Sequence, residues 1–320
     1  MRIAILDDWA ARARDMADWD SLAADITVFA DTLHDEDALA ARLQPFEVIC
    51  LMRERTRMPG SLIARLPNLK LIVTTGMRNL ALDVEAASAR GITVCGTDTR
   101  KTTTSEFAMT LILAMARNLL PEASSIAGGG WQTGLGRDLD GMTLGLIGAG
   151  SIGAQMVERA RPFGMDVIAW SQNLTDDRCA ELGITRASSL SDLMARADAI
   201  SIHLVLSDRT RNLVDAAALA AMKPDAMLVN TSRGPIVDNA ALLDALRAEP
   251  RRRAALDVFD IEPLPADHPL RDRPLIDGGQ LLLTPHLGYV TDATWRLFYG
   301  QTVEAIRAFR DGQPVRVLSS

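Results

Sequence analysis

Short apolar runs alternate along the chain with segments in which apolar residues recur every three or four positions. Within the first hundred residues the apolar runs predict five β-strands, at residues 2–6, 26–29, 47–51, 69–73 and 92–95. The last four runs are apolar enough for burial on both faces, which is typical of a parallel sheet. The spacing between them predicts helices at residues 36–43, 61–66 and 83–90. This part of the chain is therefore predicted to be a small parallel α/β unit.

A long helix is predicted to begin at residue 103, because Thr103 and Glu106 match a capping box. Apolar residues then recur at every fourth position as far as Leu119, and Pro121 is expected to follow the end of the helix. A helix between two α/β patterns is well placed to bridge two domains, although an ordinary core helix has the same pattern.

A second alternation begins at residue 143. Its apolar runs predict strands at residues 143–147, 166–170, 199–203, 226–230, 254–258 and 280–283. Residues 285–310 look helical for most of their length and are expected to return to the first unit. The chain is thus predicted to be a two-domain α/β protein. Residues 101–287 would form a Rossmann-type doubly wound parallel sheet, and residues 1–100, completed by 288–320, a smaller flavodoxin-like parallel α/β substrate domain.

Composition narrows the class of protein. At 320 residues the chain is long enough for about two domains, and 48% hydrophobic against 23% charged residues indicates a globular protein rather than a disordered one. The net charge is −7, and the basic residues form no long block apart from residues 251–253. Nucleic acid is therefore not an expected partner.

The cysteines and the lack of membrane signals predict a cytoplasmic protein. Cys50, Cys95 and Cys179 are far apart and lack metal-ligand spacing, so reduced thiols and no metal site are expected. The N-terminus reaches two acids after a very short apolar run, unlike a signal peptide. The most apolar helical segment, residues 108–116, is far shorter than the roughly 18 residues of a membrane span.

The strongest chemical signal is the segment 143–153, in which an apolar run leads into glycines at positions 148, 150 and 153. This spacing predicts a strand that turns tightly into a helix whose N-terminus receives a pyrophosphate. One glycine permits the turn, one lets the backbone approach the phosphates, and one lets helix and strand pack closely. The segment opens the second α/β pattern, so the second domain is the predicted nucleotide domain.

Polar residues in otherwise apolar surroundings follow three of the later strands. They form the segments Asn230–Gly234, Asp257–Pro263 and Thr284–Gly288. A doubly wound sheet places its ligand at the carboxyl ends of its strands, so an arginine, a carboxylate and an imidazole are expected to converge there. Their natural chemistry is carbonyl reduction.

In these stretches the chain resembles the D-isomer-specific 2-hydroxyacid dehydrogenase family, and the resemblance covers nearly its whole length. The matching segments are Gly148–Gly153, Met222–Pro224, Asn230–Asp238, Ala255–Phe259 with Glu262-Pro263, and Thr284–His286. The resemblance implies NAD(P)-dependent interconversion of a 2-oxo acid and a D-2-hydroxy acid, usually by a homodimer whose small domain closes over the nucleotide domain. The cofactor residues that it implies in the glycine turn are Gly148, Gly150, Ser151, Ile152 and Gly153.

The resemblance also implies a catalytic role for three polar residues. His286 would give a proton to the substrate oxygen as hydride reaches carbon 2, which suits an imidazole because this group exchanges protons near neutral pH. Glu262 would orient the ring and stabilise the imidazolium. Arg233 would bind the substrate carboxylate and polarise the carbonyl, a two-pronged task that lysine performs poorly.

Further cofactor contacts are implied for Asp257, against the nicotinamide carboxamide, and for Thr231 and Ser232. Structural roles compete with these, because a carboxylate can cap the end of a strand, and an isolated arginine or histidine is more often structural than catalytic. His203, at the end of another predicted strand, is interpreted as structural. The joint occurrence of Arg233, Glu262 and His286 favours a catalytic role over a structural one.

The strand at residues 166–170 ends without the acid that binds the adenosine ribose in NAD-binding relatives. Ser171 and Gln172 follow it, with no acid until Asp176 and no arginine before Arg178. The lack of a carboxylate removes its repulsion of a 2′-phosphate, but attraction is not assured. The predicted cofactor is therefore NAD or NADP, with Ser171 and Gln172 against the ribose or its phosphate.

The substrate loop of the small domain departs from the family pattern. A Gly-x-Gly-x-Asp-Asn type loop is replaced by the segment Thr75-Gly76-Met77-Arg78-Asn79-Leu80. Gly76, Met77 and Arg78 are predicted to bind substrate, and Arg78 is hypothesised to select a second anionic or polar group. A solvated Arg78 that points outward is an equal alternative.

The predicted function is that of an oxidoreductase that transfers hydride between NAD(P)H and the C2 carbonyl of a small 2-oxo acid, as in glyoxylate, hydroxypyruvate or phosphoglycerate dehydrogenases. The competing class is a nucleotide-sensing binding protein, because the same fold serves as a transcriptional corepressor in some relatives. No tail for recruiting partners is expected, which favours an enzyme. An L-lactate or malate type dehydrogenase fits poorly, since its glycine fingerprint would open the chain.

Overall fold

The computed structural model describes residues 1–318. Its β-strands are Arg2–Ile5 (β1), Asp25–Val28 (β2), Val48–Leu51 (β3), Leu71–Thr74 (β4), Thr93–Gly96 (β5), Thr143–Ile147 (β6), Asp166–Trp170 (β7), Thr185–Arg186 (β8), Ala199–Ile202 (β9), Met227–Asn230 (β10), Arg253–Leu256 (β11) and Leu281–Leu283 (β12). Its α-helices are Glu36–Leu43 (α1), Gly60–Ala64 (α2), Val84–Ala89 (α3), Thr103–Ala116 (α4), Leu119–Ala127 (α5), Ser151–Ala160 (α6), Asp176–Leu182 (α7), Leu190–Arg196 (α8), Ala216–Ala220 (α9), Asn239–Ala248 (α10), Arg273–Asp277 (α11) and Asp292–Arg310 (α12). The chain divides into two compact units, of which one is Lys101–Tyr289 and the other contains the remaining described residues.

The smaller unit is a five-stranded parallel sheet in the order β2-β1-β3-β4-β5, which is the predicted flavodoxin-like order. β3 and β4 are buried along their whole length, as their continuous apolar runs predict. β2 lies at the edge, and none of its residues is buried. The prediction that this strand is buried on both faces was wrong, because an edge strand has one neighbour and its Asp25 and Thr27 are exposed.

The C-terminal helix α12 belongs to the smaller unit and packs against β4 and β5. The helix begins where the Thr291 side chain accepts a hydrogen bond from the N–H of Thr294 at 3.2 Å. Its buried side recurs at helical spacing and includes Trp295, Phe298, Tyr299, Thr302, Val303 and Ile306. Burial of this apolar face, more than helix propensity, stabilises the segment.

The larger unit is a seven-stranded parallel sheet in the order β12-β11-β10-β9-β6-β7-β8. The strand order reverses between β6 and β9, which makes this position the topological switch point of a Rossmann-type sheet. Alternate residues of a strand enter different cores, since Leu228 packs into one apolar cluster and Met227 and Val229 into the other. The predicted doubly wound sheet is therefore confirmed, with a core on each face.

The predicted long helix proved to be two helices, α4 and α5. Asn118 separates them in a left-handed conformation with a φ of 53°, which asparagine tolerates better than most residues. Pro121 lies in the first turn of α5, where its missing N–H costs no intrahelical bond, so its predicted place after the helix was wrong. The capping box was also wrong, because Thr102 precedes the helix and its side chain makes no cap hydrogen bond.

The sequence pattern missed the edge strand β8. This strand pairs with β7 at two positions, Ile168 with Thr185 and Ala169 with Arg186. Both residues of β8 are exposed, so no apolar run marks the strand. It extends the sheet by one strand beyond β7.

The cysteines Cys50, Cys95 and Cys179 are buried free thiols. Residues 1–318 contain no group of three or more His, Cys, Asp or Glu side chains that could hold a metal ion. Within the same span, every helix is too short or too polar to cross a membrane.

Candidate active site

The glycine turn joins β6 to α6 in a conformation that only glycine can adopt. Gly148 has a φ of +105°, and a Cβ there would lie 2.4 Å from the carbonyl oxygen of His203. A Cβ on Gly153 would lie 2.2 Å from the carbonyl oxygen of Gly148. Since both obstacles are backbone atoms, neither can move aside cheaply. These two glycines are therefore required by the fold itself.

Gly150 differs from its two neighbours, because a Cβ at this position would meet nothing within 4 Å. It precedes Ser151 and Ile152, the first residues of α6, and the N–H groups of a first helical turn have no intrahelical partners. The space in front of Gly150 is thus open and faces uncompensated N–H groups. An open concavity with these donors fits a pyrophosphate.

The loop after β10 is fixed by the buried side chain of Asn230. Its Nδ2 donates to the carbonyl oxygen of Arg233 at 2.9 Å, and its Oδ1 accepts from the N–H of Ser232 at 3.0 Å. The Ser232 hydroxyl donates to the carbonyl oxygen of Ile202 at 2.6 Å, which ties the loop to β9. Arg233 is half-buried, and its Nη1 donates to the carbonyl oxygen of Ser232 at 2.8 Å. The guanidinium is therefore presented by a rigid loop.

Gly234 brings this loop against the segment that follows β11. A Cβ on Gly234 would lie 2.3 Å from the carbonyl carbon of Phe259 and 2.7 Å from the amide nitrogen of Asp260. Any other residue would push the two loops apart. The close approach places the segment of Arg233 beside the segment that carries Glu262.

Glu262 and His286 are joined by a short hydrogen bond, with 2.6 Å between Oε2 and Nδ1. The other carboxylate oxygen of Glu262 accepts from the N–H of Phe259 at 2.9 Å, so both oxygens are held. The Tyr289 ring meets the imidazole edge-on, with 5.3 Å between ring centroids. About a fifth of each side chain is exposed, at 20% for Glu262 and 21% for His286. The pair is partly shielded from water, and Nδ1 is engaged, which leaves Nε2 as the nitrogen for proton exchange.

Asp257 holds the turn that carries His286. His286 has a φ of 55°, which is uncommon for a residue with a side chain. The fully buried Asp257 carboxylate accepts hydrogen bonds from the Thr284 hydroxyl at 2.6 Å, the Leu287 N–H at 2.7 Å and the Gly288 N–H at 2.8 Å. Burial raises the pKa of Asp257, while these hydrogen bonds lower it. The carboxylate is thus a structural anchor on both sides of the histidine.

Two buried polar atoms directly after β9 and β10 lack partners among residues 1–318, Nδ1 of His203 and the Thr231 hydroxyl. Nε2 of His203 lies 2.9 Å from the Ser201 hydroxyl, and burial lowers the pKa of His203 to about 4, so the ring is neutral at pH 7. Unsatisfied buried polar atoms at the carboxyl ends of β9 and β10 are consistent with a polar ligand at that edge. Together with the open space at Gly150, they fit a dinucleotide.

The predicted ribose residues lie at the end of β7. Ser171 is half-buried and Gln172 is exposed, and the carbonyl oxygen of Ser171 accepts from the Leu174 N–H at 3.2 Å. The turn directly after the strand presents a hydroxyl and an amide but no carboxylate. Their contact with the cofactor stays a prediction.

The predicted substrate residues lie in the smaller unit, at the end of β4. Gly76 has a φ of +94° and donates its N–H to the Thr97 hydroxyl at 2.9 Å, while a Cβ there would meet the guanidinium of Arg53 at 2.3 Å. Met77 and Arg78 are exposed, and Arg78 makes no hydrogen bond or ion pair with residues 1–318. This state fits both a substrate-binding Arg78 and a solvated Arg78 that points outward, so its role stays a prediction.

Sequence reasoning missed the residues that hold the segments of Arg233 and His286 in place. Asn230 and Thr284 stood inside recognised segments, but only their contacts with Arg233 and Asp257 give them a role. The position of Gly234, directly after Arg233 at the end of a strand, was the one sequence signal that could have indicated a close approach of two loops.

Comparisons with known proteins give the site a context. The family model described as D-isomer specific 2-hydroxyacid dehydrogenase, NAD binding domain, matches residues 109–288. The chain is similar to the D-3-phosphoglycerate dehydrogenase of Mycobacterium bovis, with 37% identity over 80% of this chain and 48% of that protein. It is also similar to the (S)-sulfolactate dehydrogenase of Chromohalobacter salexigens, with 36% identity over 80% of this chain and 82% of that protein.

A solved structure extends the similarity to both units. The crystal structure of phosphoglycerate oxidoreductase from Vibrio cholerae O395 matches with a TM-score of 0.91 and 38% identity, over 98% of this chain and 99% of that one. In contrast, the chain spans about half the length of the mycobacterial relative, at 48%.

Proposed function

Because the chain belongs to the D-isomer-specific 2-hydroxyacid dehydrogenases, we propose that it interconverts a small 2-oxo acid and the matching D-2-hydroxy acid with NAD or NADP. The observation that carries this proposal is the 2.6 Å contact of His286 with Glu262, next to the loop of Arg233. A half-buried imidazole backed by a carboxylate is a proton donor and acceptor with a fixed orientation. An adjacent guanidinium suits a substrate carboxylate.

Proton transfer is assigned to Nε2 of His286. In reduction this nitrogen gives its proton to the carbonyl oxygen as hydride reaches carbon 2, and in oxidation it takes the proton back. Glu262 keeps Nδ1 engaged and stabilises the imidazolium. The nicotinamide of NAD or NADP supplies the hydride in reduction and accepts it in oxidation.

Substrate orientation is assigned to Arg233, whose planar guanidinium binds the carboxylate and polarises the carbonyl. The fixed loop of Asn230 and Ser232 supports this role, because a pre-positioned cation loses little entropy when the substrate binds.

The cofactor residues are assigned along the carboxyl edge of the larger sheet. Gly148, Gly150, Ser151, Ile152 and Gly153 would hold the pyrophosphate. The remaining assignments are Ser171 and Gln172 at the adenosine ribose, Thr231 and Ser232 beside the cofactor, and Asp257 at the nicotinamide carboxamide. The Thr231 hydroxyl, which has no partner among residues 1–318, supports its place in this set.

Arg78 is assigned to a second anionic group of the substrate, with Gly76 and Met77 in the same loop. Two relatives act, by name, on phosphoglycerate and sulfolactate, each of which carries an anionic group besides its carboxylate. The exposed Arg78, without a partner within residues 1–318, suits such a group.

We further propose a cytoplasmic homodimer. α5 and the segment after it carry exposed apolar side chains at Leu119, Leu120, Ile126, Trp131 and Leu135. Apolar residues clustered on one surface are typical of an interface between subunits. The three free thiols are consistent with a reducing compartment.

The experiment is a panel of 2-oxo acids, with and without a second anionic group, in parallel reactions with NADH and NADPH. Loss of nicotinamide absorbance is expected with at least one acid and should disappear in His286→Ala. In Arg78→Ala the KM should rise for the dianionic acids alone, whereas Arg90→Ala, an exposed arginine of the same unit, serves as the control. A protein that binds nucleotide but turns over no acid would favour the nucleotide-sensing alternative.

A further inference from the structure

A positively charged side chain from the helix after β7 contacts the glycine turn. Arg178 lies in α7, and its Nε donates to the carbonyl oxygen of Ala149, inside the turn, at 3.3 Å. About a third of the Arg178 side chain is exposed, at 33%, whereas Ala149 is buried. The guanidinium therefore rests on the turn with one side open to solvent.

The position matters because the turn and the end of β7 are adjacent. The Gly148 N–H donates to the carbonyl oxygen of Trp170, the last residue of β7, at 2.9 Å. A nucleotide whose pyrophosphate binds at the start of α6 has its adenosine ribose between these two features. The 2′ position of the ribose is thus expected on the side where Arg178 lies.

The charges around this position suit a phosphate. No carboxylate occupies residues 171–173, and the guanidinium is an unusually good match for a phosphate because its donors form a planar fork. Nη1 of Arg178 pairs with Glu181 at 2.7 Å, whereas Nη2 has no partner within residues 1–318. Glu181 is 66% exposed, so its side chain can turn away into water.

Other acids nearby are engaged or solvated. Asp176 pairs with Arg186 at 3.1 Å, and Asp177 is exposed. Glu181 is therefore the acid that would compete with a phosphate for Arg178.

We propose that Arg178 binds the 2′-phosphate of NADP and so determines whether this protein accepts NADP besides NAD. The inference rests on the nucleotide site proposed above. Arg178, seven positions past Ser171, would supply the positive charge that attracts the 2′-phosphate. Sequence spacing alone left the choice between NAD and NADP open.

The test compares two small probes that differ only in the 2′-phosphate, adenosine 2′,5′-bisphosphate and adenosine 5′-monophosphate, by calorimetry on the intact protein. The wild type is expected to bind the bisphosphate more tightly. Arg178→Gln keeps a donor for the Ala149 carbonyl but removes the charge, and should weaken bisphosphate binding roughly 10- to 100-fold with little change for the monophosphate. Arg178→Lys should retain part of the difference.

Two further variants sharpen the result. Glu181→Gln removes the competing charge and should strengthen bisphosphate binding about two- to fivefold. Arg186→Ala is the matched control, since this arginine pairs with Asp176 and does not touch the turn. Equal losses for both probes in Arg178→Gln, an equal effect of Arg186→Ala, or a wild type that prefers the monophosphate would overturn the proposal. Because binding is measured without turnover, failure of the dehydrogenase function would leave this result readable.

Discussion

Oε2 of Glu262 lies 2.6 Å from Nδ1 of His286, while its Oε1 accepts the N–H of Phe259. The carboxylate therefore has a fixed place and fixes the imidazole in turn. Such a partner orients the ring and stabilises its charged form. Both effects are expected to change the rate of proton transfer rather than the binding of nucleotide.

Glu262→Gln should keep the fold, and its one amide oxygen can still accept from the imidazole, but the negative charge is lost. We expect kcat to fall about 10- to 100-fold, with nucleotide affinity unchanged. Steady-state kinetics and nucleotide titration measure the two quantities. An unchanged kcat would mean that the pair is only structural.

Asp257→Asn should loosen the turn around His286. The amide keeps one acceptor but turns a donor toward one of the N–H groups of Leu287 and Gly288. We expect the free energy of unfolding to fall by about 1–3 kcal/mol, and kcat to fall with it. Thr284→Ser keeps the hydroxyl and is the matched control. A fall in nucleotide affinity would support the cofactor role that is also proposed for Asp257, whereas unchanged stability and kcat would contradict its role in holding the turn.

Gly148→Ala and Gly150→Ala should separate folding from nucleotide binding. Alanine at 148 meets the His203 backbone at a positive φ, so the thermal midpoint should drop, with strain of about 1–2 kcal/mol from the conformation alone. Alanine at 150 meets no atom of residues 1–318 within 4 Å beyond its own chain neighbours, so the midpoint should stay unchanged while nucleotide affinity falls. Thermal unfolding and calorimetry with NAD test both. A Gly150→Ala protein that binds NAD normally would contradict the proposed phosphate position.

His203 should make stability depend on pH in the acid range. Its pKa of about 4 in the folded protein lies below the usual 6.5, so the unfolded chain binds a proton that the folded protein excludes. The stabilisation is complete above pH 6.5 and is lost as the pH falls toward 4, by about 1–2 kcal/mol between pH 7 and pH 5. Urea unfolding at the two pH values measures the loss, which should be smaller in His203→Asn. Equal losses in both proteins would assign the effect to other groups.

The exposed apolar surface of α5 should hold the proposed dimer together. Leu120→Glu combined with Ile126→Glu should give a monomer, because two charges would be buried in the interface. Light scattering after size exclusion measures the mass. Leu80→Glu, an exposed leucine of the smaller unit, should not change it. A wild type that is monomeric at all concentrations would refute the dimer.

Local patterns predicted much of the fold. β6 and β7 begin and end at the predicted residues, because in each a polar residue is followed by a run without charged or polar side chains, which ends before a glycine or a serine. The exposure of β2 and the break at Asn118 were not predicted. Hydrophobic periodicity does not indicate whether a strand lies at the edge of a sheet. It also does not indicate where a single residue adopts a left-handed conformation.

The same division applies to the candidate site. Arg233, Glu262 and His286 could be selected from their places after successive strands. The contacts of Asn230, Gly234 and Arg178 could not be predicted from the sequence. Those of Gly234 and Arg178 join segments that are distant in sequence, and that of Asn230 depends on the exact geometry of its loop. Spacing predicts which strand end a residue occupies but not which neighbour it touches.

The strand order has a consequence for how this protein could be modified. Arg233, Glu262 and His286 follow the three consecutive strands β10, β11 and β12, whereas Arg178 lies on the far side of the switch point, beyond β6 and β7. Because the two sets share no strand, we expect the proposed coenzyme residue and the proposed proton-transfer residues to be replaceable independently. If Arg178 sets the coenzyme as proposed, changes in α7 should shift the preference between NAD and NADP without altering His286 or Glu262.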